Sequence, residues 1–540
     1  MTPKITIDEQ LQNAIELDKH GQHEVAAGLY KKILDQSPGH AWASHLLGAH
    51  ALRNSHYDDA VRLISTAIES RADEPLFHFF LGHARMAQQL WQDAADAYST
   101  VVQLVPEHSD VQLRLGIALK HAGRPLEAID AFRKSFEQDD STPAAGLQLA
   151  QLLRESGELD QAVRLLQQLL ERHPDVQDIY SRTGGALLAA ENYEEAQKVY
   201  KRLFELQRGT GLNDVPFDET AQLNGQPGDD IQASPFFFRN LIGHIRYLVE
   251  HGHIHKSYLR LADIYQEIVD RNRGLEDEFD LICISGKQAD RIRPFLFRAI
   301  NVSDSEPVDG CAVNAGLDPA AIENDYLESD GPMTVIDDFL SPSALRSLRN
   351  FLLESTIFFR VSHNTFVASY VDEGFSCGVL YQLAAELKQR FPRVLGDKEL
   401  RNMWVYRQPP HGSGVRAHSD QAAVTFNFWI TPDDSNLDKA HGGLVVYDRQ
   451  QPLDWDWHST NMDKDSPEVL GRIMAYLEGA NTRTIPYREN RAVMFHSNLF
   501  HCSDSFHFRE GYEHSRMNVT LLFGDHPASL KPGGIQERTV

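Results

Sequence analysis

Cysteine and long apolar runs are both scarce in this sequence. The 540 residues include four cysteines, and their spacing fits neither a disulfide framework nor a metal-binding motif. This scarcity favours a reducing compartment. No apolar run approaches the ~18 residues that a membrane-spanning helix needs, and residues 1–21 lack the apolar stretch of a secretory signal. We therefore expect a cytoplasmic protein.

Basic residues are also under-represented. Lysine and arginine number 52 against 77 acidic residues, so the formal net charge is −25 at pH 7. This charge argues against nonspecific binding to nucleic acid or to an anionic membrane. The length leaves room for two or three domains, and a hydrophobic content of 42% suffices for packed cores. The composition predicts a multi-domain protein with no nucleic-acid or membrane partner, and the residue patterns along the chain predict an α + β fold.

Alanine recurs with a strict 34-residue period in the N-terminal part. The alanines are Ala26, Ala60, Ala94, Ala128, Ala162 and Ala196. Twelve residues earlier stand Ala14, Gly48, Gly82, Gly116, Ala150 and Gly184, and four residues later stand Tyr30, Ile64, Tyr98, Phe132, Leu166 and Tyr200. This pattern resembles tetratricopeptide repeats, in which a large side chain wedges between paired helices that meet at small residues. We predict six repeats over residues 7–210, forming an α-solenoid with a long groove.

Residues 211–330 carry no motif and are assigned as a linker and bridging helical region of unknown role. Within them, residues 235–271 have apolar side chains at helical spacing, which predicts a helix pair. Residues 279–285 and 294–302 are short apolar runs that fit either strands or buried helix. Residues 308–330 are acidic and are predicted to be irregular.

The C-terminal part contains short runs of β-type residues joined by turns rich in glycine and proline. The predicted strands are residues 402–407, 423–430, 442–447, 491–495 and 516–523. Strands of this length suggest an antiparallel barrel or jelly roll. Residues 448–489 are a long insertion with a predicted helix over 467–478. Because this insertion also carries Trp455 and Trp457, we interpret it as a candidate substrate lid.

His418 and Asp420 form an H-x-D motif in this region, and His501 follows downstream. At a strand end, residues i and i+2 point to the same side, so both side chains can reach one ion. Two imidazoles and one carboxylate are the ligand set of non-haem Fe(II) oxygenases. His496 is the alternative third ligand.

Arg516 opens the last predicted strand. A buried arginine beside a three-ligand metal needs an anionic partner, and the distal carboxylate of 2-oxoglutarate would supply one in bidentate geometry. Arg509 is the alternative anchor. His251, His253 and His255 also alternate, but they follow an apolar run and a glycine, so we expect a solvated turn at a helix end.

Residues 333–525 resemble the Fe(II)/2-oxoglutarate-dependent oxygenases, with a double-stranded β-helix core and closest likeness to the prolyl-hydroxylase-like branch. The opening TVIDDFLSP at residues 334–342 is typical of such domains. Residues 490–524 are similar to bacterial oxygenases with tetratricopeptide repeats. The spacing from His501 to Arg516 is wider than in prolyl 4-hydroxylases. The likeness implies an oxygenase domain over 331–526 and a C-terminal tail over 527–540.

This resemblance also implies a cofactor set and roles for individual residues. His418, Asp420 and His501 would hold Fe(II), and Arg516, Tyr406 and Asn427 would bind the cosubstrate 2-oxoglutarate. O2 would be the second cosubstrate, with ascorbate as an optional reductant. An aspartate in the triad favours hydroxylation over halogenation.

A repeat groove joined to such an oxygenase implies a protein or peptide partner or substrate, with a proline side chain as the first expectation. Prolyl 3-hydroxylases have a similar architecture. Two alternatives stay open. One is a small-molecule hydroxylase whose repeats mediate assembly, for example as a homodimer. The other is a non-catalytic repeat scaffold with a relic metal site.

Overall fold

The computed structural model describes residues 6–212, 215–217, 230–272, 279–303, 305–329, 331–362, 366–455 and 466–526. The chain divides into two compact units at the boundary between Pro174 and Asp175. Among the described residues, no helix is both long enough and apolar enough to cross a membrane. The predicted C-terminal tail, residues 527–540, lies outside the described part of the chain.

Twelve helices in six consecutive pairs form the described N-terminal repeats, which confirms the predicted repeat array. The five pairs of the first unit are α1 (Ile7–Lys19), α2 (His23–Gln36), α3 (Ala41–Arg53), α4 (Tyr57–Ser70), α5 (Pro75–Ala87), α6 (Trp91–Leu104), α7 (Ser109–His121), α8 (Pro125–Gln138), α9 (Ala144–Glu155) and α10 (Leu159–Arg172). The sixth pair, α11 (Gln177–Ala189) and α12 (Tyr193–Arg208), opens the second unit.

The 34-residue period has a direct steric cause. A β-carbon added to Gly82 would lie 2.6 Å from the ring of Tyr98, and one added to Gly116 would lie 2.5 Å from the ring of Phe132. Both rings are fully buried. Burying a side chain such as phenylalanine contributes about 1.5–3 kcal/mol. Each glycine of a first helix therefore makes room for the large side chain of the second helix.

The second unit contains eight further described helices, some of them short. They are α13 (Pro235–Glu250), α14 (Leu259–Arg271), α15 (Gly286–Ile292), α16 (Pro319–Glu328), α17 (Pro342–Glu354), α18 (Gly378–Arg390), α19 (Pro392–Leu395) and α20 (Pro467–Leu477). The helix pair predicted over residues 235–271 is confirmed as α13 and α14. Residues 294–302 contain turns instead of the predicted strand or helix.

The prediction that residues 308–330 are irregular is wrong, because α16 lies within them. Pro319 occupies the first turn of this helix, and the Asp318 carboxylate accepts a hydrogen bond from the Ala321 amide at 3.1 Å. Proline in the first turn and aspartate at the N-cap are both helix-start signals. They outweigh the loop-like composition of this stretch.

The region assigned as a linker contributes to the packing of the second unit. His244 on α13 is buried, with its Nδ1 2.7 Å from the Tyr512 hydroxyl and its Nε2 3.0 Å from the Thr356 hydroxyl. Burial lowers the pKa of His244 to about 3. This neutral imidazole ties α13 to the segments around residues 356 and 512, so α13 is a structural part of the second unit.

Fourteen strands are described in the second unit. They are β1 (Ile231–Ala233), β2 (Ile282–Ile284), β3 (Met333–Ile336), β4 (Arg360–Ser362), β5 (Phe366–Tyr370), β6 (Leu400–Arg407), β7 (His411–Gly412), β8 (Val424–Trp429), β9 (Leu444–Gln450), β10 (Thr482–Ile485), β11 (Ala492–His496), β12 (Leu499–Ser503), β13 (Phe506–His507) and β14 (Met517–Phe523). The short run at residues 279–285 thus contains strand β2.

The main sheet has seven strands in the order β3-β11-β8-β14-β6-β5-β4, and a smaller sheet has the order β10-β9-β12. All pairings are antiparallel. Side chains of both sheets, including Val493, Phe495, Leu444 and Val446, form one buried cluster. The C-terminal region is therefore β-rich, as predicted, but the described sheets are not joined by hydrogen bonds into a closed barrel.

Strands β8 and β14 lie at the centre of the main sheet, and all their residues are buried. Side chains alternate between the two faces of a strand. Met517, Val519 and Leu521 face one side, whereas Asn518 and Thr520 face the other. Asn518 and Thr520 line a cavity, so the polar side chains that alternate along this buried strand indicate a candidate functional site.

Candidate metal centre

The backbones of His418 and His501 hold the two imidazoles side by side. The His418 amide donates to the His501 carbonyl at 3.0 Å, and the His501 amide donates to the His418 carbonyl at 2.9 Å. The two ring centroids lie 4.3 Å apart. The chain is thus fixed at both residues independently of their side chains.

Each imidazole is oriented by a main-chain oxygen. Nδ1 of His418 lies 2.8 Å from the Arg416 carbonyl, and Nδ1 of His501 lies 3.0 Å from the Leu499 carbonyl. A carbonyl oxygen can only accept, so in the neutral ring Nδ1 carries the proton and Nε2 presents a lone pair. This arrangement is typical of metal-binding histidines, whose second nitrogen is hydrogen-bonded to a carbonyl or carboxylate.

Asp420 faces both Nε2 atoms. Its carboxylate oxygens lie 3.8 Å from Nε2 of His418 and 3.6 Å from Nε2 of His501. These separations are less than twice a metal–ligand distance of about 2.0–2.2 Å, so one ion can contact both members of each pair. The Thr425 hydroxyl donates to the Asp420 carboxylate at 2.9 Å and restrains its rotation.

The ligand atoms of His418, Asp420 and His501 all lie within 4.8 Å of one another, and this is the one such group of three among the described residues. Two neutral imidazoles and one carboxylate suit a divalent transition metal, and three ligands leave coordination positions open. The residues therefore fit the metal that the sequence predicts for them.

A cavity adjoins the three ligands, and it is lined by both polar and apolar side chains. All six residues predicted for the site line it: His418, Asp420, His501, Tyr406, Asn427 and Arg516. The structure therefore brings the predicted metal ligands and cosubstrate contacts together around one space.

Arg516 lies in this cavity wall with 1% of its surface exposed. Its guanidinium donates to the Gly442 carbonyl at 2.7 Å, to the Gly443 carbonyl at 3.0 Å and to the side-chain oxygen of Gln408. Within the described chain it forms no ion pair with a carboxylate. Burial lowers the pKa of Arg516 to about 10, so the residue is charged at neutral pH. A buried cation whose partners are all neutral favours an anionic ligand.

Two asparagines of the cavity have amide oxygens without a hydrogen-bond partner. Asn427 on β8 and Asn518 on β14 are 6% and 7% exposed, and the side-chain oxygen of each is buried and unpaired. Buried polar atoms without a partner are rare. Their presence in the wall of a cavity is an indication of a polar ligand.

Tyr406 shares this wall, and its hydroxyl lies 3.3 Å from that of Tyr370. Burial raises the pKa of Tyr406 well above its ordinary value, so the phenol remains a hydrogen-bond donor at neutral pH. The Tyr406 ring also stacks on Phe366 with centroids 4.1 Å apart. The side chain is therefore positioned both by an aromatic neighbour and by a hydroxyl.

The alternative site residues lie elsewhere. Arg509 is exposed and pairs with Asp434 at 3.2 Å. His496 ends β11 and accepts a hydrogen bond from the Asn498 amide at 3.3 Å, outside the three-ligand group. His251 is the C-cap of α13, and its ring stacks on Tyr247. None of these three lines the cavity.

The insertion interpreted as a lid has a different placement in its described part. Helix α20 packs through Ile473 and Leu477 against Ala417 and Phe500. Ala417 and Phe500 each precede a candidate metal ligand in the chain, so α20 contacts the segments that carry His418 and His501. Trp457 lies outside the described residues. The described helix therefore supports the ligand-bearing segments and does not line the cavity.

Sequence reasoning missed the residues that hold Arg516. Gln408, Gly442 and Gly443 come from two separate segments, and two of their three acceptors are main-chain carbonyls. The Gly-Gly pair is visible in the sequence, but there it predicts only the start of the strand at residues 442–447. A β-carbon on Gly443 would overlap the Ile485 carbonyl oxygen. Glycine is therefore required at this position because two segments of the backbone approach closely.

We expect Gly443→Ala to destabilise the second unit by about 1–3 kcal/mol, the usual cost of overpacking a close contact. It should also weaken binding of the expected cosubstrate 2-oxoglutarate, because displacing residue 443 moves an acceptor of Arg516. Thermal unfolding and ligand titration measure the two effects. Gly471→Ala is the matched control, since an added β-carbon meets nothing within 4 Å there and alanine favours the middle of helix α20. Equal melting temperatures for the two variants would contradict the steric argument.

Tetratricopeptide-repeat family models match the N-terminal part of the chain at residues 11–75, 45–106, 81–142, 119–182 and 153–210. This part is a tetratricopeptide-repeat array. Among curated proteins, none matches the chain.

Similar solved structures include three that align with this chain over about a third of its length. The MamA protein is 20% identical with a TM-score of 0.30, and the alignment covers 31% of this chain and 92% of MamA. YrrB, described as a repeat protein with an unusual peptide-binding site, is 18% identical with a TM-score of 0.31, covering 33% of this chain and 92% of YrrB. Pseudomonas aeruginosa pilF is 20% identical with a TM-score of 0.31, and the alignment covers 38% of this chain and 93% of pilF.

Proposed function

We propose that the second unit is an Fe(II)- and 2-oxoglutarate-dependent dioxygenase with a double-stranded β-helix core. It would hydroxylate a side chain of a polypeptide that the repeats recruit, with proline as the first candidate. The observation that carries this proposal is the convergence of His418, Asp420, His501 and Arg516 on one cavity. A metal triad alone fits many reactions, whereas a triad that shares a cavity with a buried arginine that forms no ion pair among the described residues fits an anionic cosubstrate.

The charges of the cavity support this cosubstrate. The Asp420 carboxylate and the Arg516 guanidinium carry opposite unit charges, so adding a divalent cation leaves two positive charges in a mostly buried space. A buried charge requires an opposite partner. A dicarboxylate dianion supplies two negative charges, and its two ends can separately meet the metal and Arg516. 2-Oxoglutarate has this charge and these two ends.

Each residue of the cavity would then have a separate role. His418, Asp420 and His501 hold the metal, with the Nδ1 protons of the histidines directed to main-chain carbonyls. Arg516 would orient the distal carboxylate, and the Tyr406 hydroxyl can donate a further hydrogen bond. When bound, iron and 2-oxoglutarate supply the oxidising chemistry, in which succinate and CO2 form and O2 contributes one oxygen atom to succinate and one to the hydroxylated C–H bond.

The repeats support a polypeptide as the substrate or partner. Tetratricopeptide arrays offer extended surfaces of the kind that bind peptides and proteins. Six repeats provide far more surface than a separate oxygenase domain needs. The simplest role for a repeat surface in the same chain as an oxidising site is to recruit the polypeptide substrate.

Anaerobic addition of Fe(II) and then 2-oxoglutarate to the full-length protein tests the proposed chemistry. We expect a weak visible absorption band to appear only when both are present, because the band requires the metal chelated by the 2-oxo acid. Succinate release under air, even without substrate, should accompany it. The Arg509→Ala variant should behave like the wild-type protein. A protein that shows neither band nor succinate would leave the non-catalytic scaffold as the better interpretation.

A second experiment concerns the substrate. The protein, iron and 2-oxoglutarate are incubated with a proteome, and untargeted mass spectrometry records mass increases of one oxygen atom. Gains on peptides that depend on Asp420 support a polypeptide hydroxylase. Gains confined to small metabolites would favour the small-molecule alternative.

A further inference from the structure

The first helices of the third, fourth and fifth repeats form a continuous surface in the first unit. The Arg114 guanidinium on α7 lies 5.5 Å from the ring centre of Phe79 on α5. On its other side, α7 contacts α9, where Nζ of Lys120 lies 3.2 Å from the side-chain oxygen of Gln148. These contacts join α5, α7 and α9 side by side.

The repeat period places equivalent side chains in rows across this surface. Positions 79, 113 and 147 are one repeat length apart, as are positions 86, 120 and 154. Within each helix the two positions differ by seven residues, so they share one face. We call this set the first-helix face, and its members are Phe79, Met86, Leu113, Lys120, Leu147 and Arg154. One row is apolar, and the other contains a methionine and two cations.

Lys120 is the unusual member of the first-helix face. The residue is 6% exposed, and its ammonium contacts two neutral acceptors, the side-chain oxygens of Gln148 at 3.2 Å and Gln151 at 3.5 Å. An ammonium has three N–H donors. In the described part of the chain no carboxylate pairs with it; the nearest acid in this network, Glu155, accepts from the Gln151 amide.

Lys120 is the one lysine or arginine of this unit that is buried among the described residues. By comparison, the partly exposed Arg114 pairs with Asp110 at 2.9 Å and Arg85 pairs with Asp93 at 3.4 Å. The whole chain has a net charge of −25, so acidic partners are abundant in its sequence. Because burial of an unpaired charge costs free energy, the missing carboxylate points to a partner that supplies it.

We propose that the first-helix face binds an extended polypeptide segment in which an aspartate or glutamate stands beside apolar residues. The acidic side chain pairs with Lys120, between the amides of Gln148 and Gln151. The apolar side chains of the segment lie on Phe79 and Leu113, the two partly exposed members of the apolar row, whereas Leu147 is 8% exposed. This inference rests on the proposed function in one respect, since it specifies the chemistry of the polypeptide that the repeats recruit.

Peptide selection on the full-length protein tests this proposal, without iron or 2-oxoglutarate. A phage-displayed library of random peptides about twelve residues long is the probe. We expect the enriched peptides to carry an aspartate or glutamate flanked by apolar residues. One enriched peptide, made with an amidated C-terminus, should lose affinity at least tenfold for Lys120→Gln in fluorescence anisotropy. Its binding should also weaken with rising salt, as charge pairing requires.

Two further variants separate binding from folding. Lys134→Gln removes the same charge from an exposed position on the second helix α8 and should bind the peptide like the wild-type protein. Leu113→Ala keeps Lys120 and should weaken binding while leaving the salt dependence unchanged. Lys120→Gln removes a buried charge and leaves a neutral side chain, so its melting temperature should not fall.

Several results would overturn the proposal. They are enriched peptides without acidic residues, equal affinity of Lys120→Gln and the wild-type protein, or binding that requires a free C-terminal carboxylate and is lost on amidation. Succinate release is measured on the same protein preparations, so that failure of peptide binding can be distinguished from failure of the proposed oxygenase activity. Absent peptide binding with intact turnover rejects only the inference about Lys120, and absent turnover with intact peptide binding rejects only the oxygenase.

Discussion

Replacing any one of His418, Asp420 and His501 with alanine should abolish iron binding and turnover. Each side chain supplies one ligand atom to a group whose members lie within 4.8 Å, and two remaining ligands hold a divalent ion far less tightly than three. Iron content after anaerobic reconstitution and succinate release under air are the measurements. The α-helical content seen by circular dichroism should be unchanged, because the helical repeats do not contribute these ligands.

His496→Ala is the matched control for His501→Ala. His496 ends strand β11 and lies outside the three-ligand group, so its loss should leave iron content and succinate release near wild-type values. If His501→Ala retained full activity and His496→Ala lost it, the assignment of the third ligand would be overturned.

Arg516→Ala should raise the KM for 2-oxoglutarate by at least about 100-fold. Removing one partner of a buried charged pair costs about 3–5 kcal/mol, and each 1.4 kcal/mol corresponds to roughly a factor of ten. The kcat should change less than KM if Arg516 mainly binds the cosubstrate. Initial rates of succinate formation at varied 2-oxoglutarate concentration measure both constants.

Arg516→Met tests whether such an effect comes from loss of the charge or from loss of the fold. Methionine fills much of the same volume and removes the cost of burying a cation, although it leaves the acceptors of Arg516 without their donor, so the melting temperature should fall less than in Arg516→Ala. The 2-oxoglutarate KM should nevertheless rise as for alanine. Arg509→Ala, which alters the exposed alternative anchor, should leave KM unchanged. An unchanged KM in both Arg516 variants would return the anchor role to Arg509.

The repeats were predictable because one physical constraint recurs in the sequence. Gly82 and Gly116 each face a large ring, Tyr98 and Phe132, and no side chain fits between. A constraint that repeats every 34 residues is visible without an alignment. By contrast, α16 has local start signals, Asp318 and Pro319, but no repeated pattern, and its acidic composition concealed it.

The grouping of His418, Asp420 and His501 around one point was also predictable, because His418 and Asp420 lie two residues apart in a region of predicted strands. The surroundings of Arg516 were not. Its acceptors at Gly442 and Gln408 lie 74 and 108 residues away along the chain. Gln408 meets it through the pairing of β6 with β14, and Gly442 lies just before strand β9 of the smaller sheet. Likewise, alternation predicted strands but not whether the sheets close, because closure depends on long-range register that a single sequence does not encode.

The main-chain acceptors of Arg516 have a consequence for how this site responds to random mutation. No codon change at Gly442 or Gly443 can delete a carbonyl oxygen; it can only shift the oxygen by forcing in a side chain. In saturation mutagenesis, we therefore expect every larger side chain at these two positions to reduce function, whether it is polar or apolar. At Gln408 the acceptor is the side chain itself, so tolerance there should follow the hydrogen-bonding capacity of neutral residues. Glutamate would instead pair with Arg516 and compete with an anionic ligand.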